Sequence, residues 1–178
     1  MEDQPIYHEK QRLQFCLLHA LNNLMQEKDS FRRVELNAIA EKLVADDPLR
    51  AQWTPLSLIF KPHHNVFTGN YDVNVLIAAL ESRKKKVVWH DRRNGASSIN
   101  LAEASLMGIM LNIPVKRLGG LWSGKHWVTL RLINGVWYNL DSDLSAPVPF
   151  KHQEELIQFL NNVISQGGEI LIILHENL

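Results

Sequence analysis

The sequence predicts an α+β fold, and three observations carry that prediction. Helix-periodic apolar stripes fill the first half of the chain. A strong hairpin signal, Asn134-Gly135, separates two apolar stretches in the second half. An unbroken apolar run, Ile170-Leu171-Ile172-Ile173-Leu174, lies near the end. Helices first and antiparallel strands later put a helical layer against a sheet. At 178 residues and 46% hydrophobic content, one domain spanning 1–178 with a sizeable core is expected.

A net charge of zero argues against a general attraction to nucleic acid or to an anionic membrane. The single cysteine, Cys16, excludes an internal disulfide and a multi-cysteine metal site. The start, Met1-Glu2-Asp3-Gln4-Pro5, shows neither the basic nor the apolar region of a secretory signal. No apolar run approaches the ~18 residues of a membrane span. The expectation is a soluble, monomeric, intracellular protein, cytoplasmic and/or nuclear, that needs no cofactor and no metal.

The first helix is predicted from Cys16 to about Lys28. Leu17, Ala20, Leu21 and Leu24 share one face, and His19, Asn22, Asn23 and Gln26 fall mostly elsewhere. A second helix carries Leu36, Ile39, Ala40, Leu43 and Val44 and ends near Asp47-Pro48. Residues 49–68 are ambiguous. A short third helix over 53–60 is one reading, and residues 30–68 together read as a helical arm. His63-His64 is a poor metal site, because adjacent side chains diverge.

Asp72 or Asn70 caps a further helix whose apolar face is Val73, Leu76, Ile77 and Leu80. Arg83-Lys84-Lys85-Lys86 closes it. Such a basic run is usually a solvated last turn that complements the helix dipole, and docking of an acidic partner is the lesser reading. Val87-Val88-Trp89 is a strand, Leu101 to Leu106 a helical turn, and Met107 to Ile113 a strand ended by Pro114. Residues 116–125 read as a glycine-containing loop, either a flap over a site or a plain connection. A last helix carries Leu156, Phe159, Leu160, Val163 and Ile164 and is capped by Gly167-Gly168. The run from Ile170 to Leu174 suits a central strand.

The hairpin allows a register. With Asn134-Gly135 as a two-residue turn, Ile133 faces Val136. His126 then lies opposite Asp143 and one diagonal step from Asp141, within reach of an imidazole–carboxylate contact. Asp141, Asp143 and Asn139 are therefore all candidates to orient His126.

Cys16 has two readings. Among Phe15, Leu17 and Leu18 it can be a small buried hydrophobe. At the first turn of a helix, with no Ser, Thr, Asp or Asn just before it, it can instead be a thiolate stabilised by unpaired backbone N–H groups. A nucleophilic thiol needs an imidazolium, the imidazole needs an orienting acceptor, and the developing oxyanion needs donors. Cys16, His126, an acid such as Asp141, and Gln11 can fill these roles. Gln11 precedes Cys16 by five residues, much as papain-like peptidases place an amide ahead of the nucleophile. His19, on the same helix as the thiol, is badly placed as a base and better suited to a hydrogen bond within the fold.

Tyr7-His8-Glu9-Lys10-Gln11, Cys16, His19-Ala20-Leu21-Asn22-Asn23-Leu24, Gly69-Asn70-Tyr71-Asp72, His126-Trp127 and Trp137-Tyr138-Asn139-Leu140-Asp141-Ser142 together resemble the Josephin family of deubiquitinating cysteine peptidases. The resemblance covers nearly the whole chain and looks most like the short members that consist of the Josephin domain alone. It implies a papain-like fold, with the helical arm packed on a mainly antiparallel sheet. It implies hydrolysis of the (iso)peptide bond at the C-terminal glycine of ubiquitin, through a thioester. Cys16 would be the nucleophile, His126 the base and acid, Asp141 the orienting residue and Gln11 the oxyanion donor. The third position is often Asn in the family, and here it is Asp. Val73 and Asn74 match positions of a ubiquitin-contacting surface, although Val73 reads equally well as core. The alternative from another class is a ubiquitin-binding module whose thiol is slow or regulated. Transfer of ubiquitin to a new amine would use the same residues.

Overall fold

The computed structural model describes residues 5–11, 15–46, 64–65, 70–117 and 122–176. Helices α1 (Cys16–Met25) and α2 (Arg33–Ala45) come first. The short strands β1 (His64–Asn65) and β2 (Asn70–Tyr71) precede helix α3 (Val73–Ser82) and strand β3 (Lys85–Trp89). Two 3-10 turns, Arg92–Asn94 and Ala96–Ser98, lead to strands β4 (Leu106–Arg117), β5 (Trp122–Ile133), β6 (Val136–Asn139) and β7 (Val148–Pro149). Helix α4 (Gln153–Ser165) and strand β8 (Glu169–His175) complete the described elements.

β1 pairs with β2, and the other six strands form one antiparallel sheet in the order β3-β8-β4-β5-β6-β7. The apolar run predicted as a central strand is β8, flanked by β3 and β4. Its two faces pack on different layers. Leu171 and Ile173 join Met107, Met110 and Trp127 beneath α1, α2 and α3. Ile170 joins Ile109, Leu111, Val128 and Leu130 beneath α4. Met107 and Met110 reach the same layer although they are three positions apart, an odd step that regular alternation would send to opposite faces. The register shift between Leu106 and Gly108 adds a residue to β4 and reverses the alternation.

Four local expectations are corrected. α1 stops at Met25 rather than Lys28, because Gln26 takes a left-handed backbone (φ 58°) and its amide pairs with the Tyr7 backbone at 3.1 and 3.0 Å. Pro114 does not end its strand. β8 pairs with β4 only as far as Asn112, so beyond that point β4 has a free edge where the missing N–H is tolerated. The loop expected over 116–125 is in part a continuing ladder, with Val115 opposite Gly124 and Arg117 opposite Trp122. Its centre lies outside the described residues. Residues 101–105 form turns rather than a helix. The proposed helix over 53–60, the Asp47-Pro48 stop, His63 and much of the arm also lie outside the described residues.

α1 fits the sheet through one close approach. A Cβ built on Gly108 would come within 2.8 Å of the Leu130 carbonyl oxygen and of Leu24 Cδ1. Thr129 Oγ1 donates to the Ala20 carbonyl at 2.6 Å, fully buried. Leu24 therefore sits near Leu130 and Ala20 near Thr129, so α1 and β5 run side by side in the same direction. Gly108→Ala is expected to destabilise the fold by about 1–3 kcal/mol through this overpacking. Chemical denaturation checks it, with an unchanged midpoint counting against the tight contact.

Candidate active site

The direction of α1 along β5 carries the first residue of the helix toward the start of that strand. Cys16 is this first residue. Phe15 before it offers no side-chain cap, so the backbone donors of the first turn keep their partial positive charge beside the sulfur.

The hairpin follows the register read from its turn. Asn134 and Gly135 both have positive φ, 49° and 80°, as a type I′ turn requires. Ile133 pairs with Val136 and Leu130 with Asn139, and there the β5–β6 ladder ends. His126 thus lies on a part of β5 without a β6 partner. Past β6, Leu140 N–H still donates to the Thr129 carbonyl at 2.8 Å, and the chain then turns, with Leu144 N–H on the Asp141 carbonyl at 3.0 Å. That turn brings Asp141 to the ring: its Oδ1 is 2.7 Å from His126 Nε2. Asp143, opposite His126 by extrapolation, is swung outward. Its Oδ2 stands 3.6 Å from Nε2 with the side chain 56% exposed, and its N–H donates to Asp141 Oδ1 at 2.9 Å. Asn139 does not reach the ring, and its Oδ1 accepts from Asp141 N–H at 3.0 Å.

With Nε2 bound to Asp141, Nδ1 is the nitrogen left over. It is buried and makes no aligned hydrogen bond, while the Cys16 thiol lies against the same ring and strengthens its hold on a proton. Resting thiol–imidazole pairs are often poorly aligned until substrate tightens them. Burial opposes charge on His126. The Asp141 hydrogen bond, the Cys16 contact and their charges outweigh it, and the ring's pKa is carried up to about 10. Burial likewise opposes charge on Asp141, but His126 and the Asp143 N–H hold its carboxyl below the ordinary range. Among the described residues, the group with metal-ligating spacing is this same trio of His126, Asp141 and Asp143, with ligand atoms within 4.8 Å of one another. Its nearest contact is the Nε2–Asp141 hydrogen bond.

Gln11 is fixed next to Asp141 by Ser142. Its N–H donates to the Ser142 carbonyl at 2.8 Å, and its Oε1 faces the Ser142 hydroxyl at 3.4 Å. The residues before it are strapped to α1. Asn23 Oδ1 accepts from Glu9 N–H at 2.6 Å, and Asn23 Nδ2 donates to the Leu140 carbonyl at 2.9 Å. His8 Nε2 contacts the Asp141 carbonyl at 2.9 Å. Glu9 carboxylate takes Asn22 Nδ2 at 2.9 Å and His19 Nδ1 at 3.2 Å. Burial works against the Glu9 charge, yet these partners leave its pKa lowered. His19 and Asn23 are therefore part of the frame, and the strap covers the face of α1 that carries them.

This is an uncapped cysteine helix against a histidine hairpin, with a glutamine strap alongside, in the chain order of the motifs above. The sequence matches the Josephin family model over residues 11–174. The chain belongs to the Josephin family. It is 62% identical to a Josephin-like protein of Arabidopsis thaliana over 92% of this chain and 46% of that protein. It is 38% identical to human Josephin-2 over 97% of this chain and 88% of that protein. With human ataxin-3 it shares 27% identity over 96% of this chain and 45% of that protein. The chain thus spans under half of the Arabidopsis relative and of ataxin-3, and most of Josephin-2. The papain-like arrangement expected of a Josephin domain agrees with the helices and antiparallel sheet seen here.

Val73 and Asn74 open α3 just after the Asp72 cap, whose carboxylate accepts from Asn74 N–H and Val75 N–H. Val73 is half-buried against the helical core and Asn74 is exposed. A groove of about 360 Å³ runs beside this turn, between Asp72 and Val73 on one side and Asn112, Lys125, Trp127 and Glu169 on the other. Sequence reading gives no role to Ser142 or His8. Their partners in the site lie 131 and 133 residues away, and no spacing rule spans such separations.

Asp141→Asn keeps a hydrogen-bond acceptor but removes the charge that raises His126. The protonated ring is lost as pH rises through its pKa, so the alkaline limb of kcat/KM is expected near pH 10 in the parent. In the variant that limb moves down by about 1–3 units. A pH–rate profile decides it. Asp143→Ala should leave the limb in place.

Proposed function

We propose that this chain is a cysteine-type ubiquitinyl hydrolase that cleaves the (iso)peptide bond at the C-terminal glycine of ubiquitin. The observation that carries this reading is the division of the His126 ring, with Nε2 held by Asp141 at 2.7 Å and Nδ1 left for the Cys16 side. Membership of the Josephin family, the family of deubiquitinating cysteine peptidases that the motifs resemble, supports the substrate class.

In this reading the Cys16 sulfur attacks the glycine carbonyl carbon, and the carbonyl π electrons move onto oxygen. The Gln11 side-chain N–H and the Cys16 backbone N–H receive that oxyanion. His126, protonated at Nδ1, gives its proton to the leaving amine as the C–N bond breaks, leaving a thioester. The neutral ring then takes a proton from water, whose oxygen attacks the thioester, and the departing sulfur ends the cycle paired with imidazolium. Asp141 holds the ring throughout. Ubiquitin is the partner, and the groove beside Val73 and Asn74 is the surface we assign to it. We further propose that the chain acts as a monomeric intracellular enzyme without cofactor.

One observation favours a second reading, a ubiquitin-binding module with weak or regulated activity: Cys16 and His126 are each only 4% exposed. A ubiquitin probe with an electrophilic C-terminus separates the two. Rapid labelling of the full chain that is lost in Cys16→Ala supports the hydrolase, and binding without labelling supports the module. His126→Ala is expected to lower turnover about 10²–10⁴-fold with the fold intact. Unchanged turnover would refute its assignment.

A further inference from the structure

Ser142 follows Asp141 in the chain, is 2% exposed, and meets Gln11 both at its backbone N–H and at its side-chain oxygen. Its carbonyl takes the Gln11 N–H at 2.8 Å, and its hydroxyl lies 3.4 Å from Gln11 Oε1. We propose that Ser142 is a positioning residue for the oxyanion donor, supplying the hydrogen bond that Gln11 Oε1 needs while Nε2 is engaged by the anion. The inference rests on the hydrolase reading above and deepens it.

The argument starts from the amide group. Its two ends have nearly the same shape and opposite polarity, Oε1 accepting and Nε2 donating. A half-turn about the last side-chain bond exchanges them. One orientation stabilises an oxyanion and the other repels it. A hydroxyl can donate or accept, so in the resting protein Ser142 tolerates either orientation. Once Nε2 donates to the anion, only one orientation remains, and Oε1 is then a half-buried acceptor beside the buried Ser142. An acceptor there without a partner is costly. The Ser142 hydroxyl meets it, and an O–H donated to Oε1 also polarises the amide so that its N–H donates more strongly. The contact therefore matters more in the transition state than in the bound ground state, and its loss lowers kcat rather than raising KM. The backbone bond from Gln11 N–H to Ser142, independent of the Ser142 side chain, keeps Gln11 in place when the hydroxyl is removed.

The test uses the full chain with ubiquitin carrying a fluorogenic C-terminal amide, and alkylation of Cys16 by iodoacetamide as a second readout. Alkylation needs the thiolate but forms no oxyanion, so a structural disturbance of the Cys16–His126 pair moves it and a loss at Gln11 does not. Ser142→Ala is expected to lower kcat about tenfold with KM, alkylation rate and melting temperature unchanged. Ser142→Thr, which keeps the hydroxyl, restores kcat. On a Gln11→Ala background, Ser142→Ala adds no further loss. An unchanged kcat in Ser142→Ala overturns the inference. So does a parallel fall in alkylation, or a loss that persists in full without Gln11. Wild-type protein whose turnover survives Cys16→Ala would overturn the hydrolase reading itself, and this inference with it. Wild-type turnover that needs Cys16 but ignores Ser142 defeats this inference alone.

Discussion

The seating of α1 on β5 is the constraint on which the rest of the structure depends. Gly108 removes the side chain that would hold the helix off the sheet, and Thr129 donates to the Ala20 carbonyl at 2.6 Å in a place closed to water. A buried hydrogen bond of this kind fixes position along the strand as well as distance, because a slip would leave the buried Thr129 hydroxyl without its acceptor. With helix and strand parallel and indexed at this point, the first residue of one has to lie near the early part of the other. The meeting of Cys16 and His126 is a consequence of packing several residues away from either of them.

A second constraint is polar. Tyr7 to Gln11 add no regular element, yet Gln26, Asn23, His8 and Ser142 bind them to α1 and to the turn after β6. Asn23 is the crossing point, bonded to Glu9 on the strap and to Leu140 beside Asp141. A half-buried polar network of this kind specifies one arrangement more sharply than apolar packing does, since alternatives leave donors and acceptors unmet. Cys16, Asp141 and Gln11 come from three separate parts of the chain, and this network holds their relative positions.

Much of this is legible in the sequence, for reasons that differ from part to part. The Asn134-Gly135 turn fixes its own register, so the proximity of His126 to Asp141 follows from local geometry and alternation. The apolar stripe of α1 and the central place of β8 follow from periodicity and burial. The choice among Asp141, Asp143 and Asn139 depends on where β6 stops and how the chain turns afterwards, which alternation does not encode. That His19 serves a hydrogen bond within the fold is legible, but the partner it shares with Asn22 and Asn23, Glu9, is not, because that residue lies on a segment with no periodicity. The ladder through Pro114 is hidden for a related reason. Whether proline ends a strand depends on the neighbour that its missing N–H would have faced, and that neighbour, β8, is more than fifty residues away in sequence.

The electrostatics of the ring also bear on how one histidine would serve, in the proposed hydrolase cycle, as acid and then as base. A pKa near 10 keeps the ring protonated at neutral pH, but so firmly held a proton is hard to deliver to a leaving amine. The interactions that raise it fall into two groups. Those from Asp141 persist through the cycle, whereas those from Cys16 exist only while the sulfur is free. In the proposed cycle, attack on the carbonyl would convert the sulfur into a neutral, covalently bound atom, and the Cys16 contribution would disappear at the moment the proton must move. Burial, which opposes charge on the ring throughout, then has less to overcome, and the ring becomes a stronger acid for the amine and afterwards a neutral base for water. Release of the thiolate restores the first state. An asparagine at position 141 would keep the orientation and lose the lasting part of the bias. In this reading the aspartate sets the level to which the ring's pKa falls, while the thiol sets when it falls and by how much.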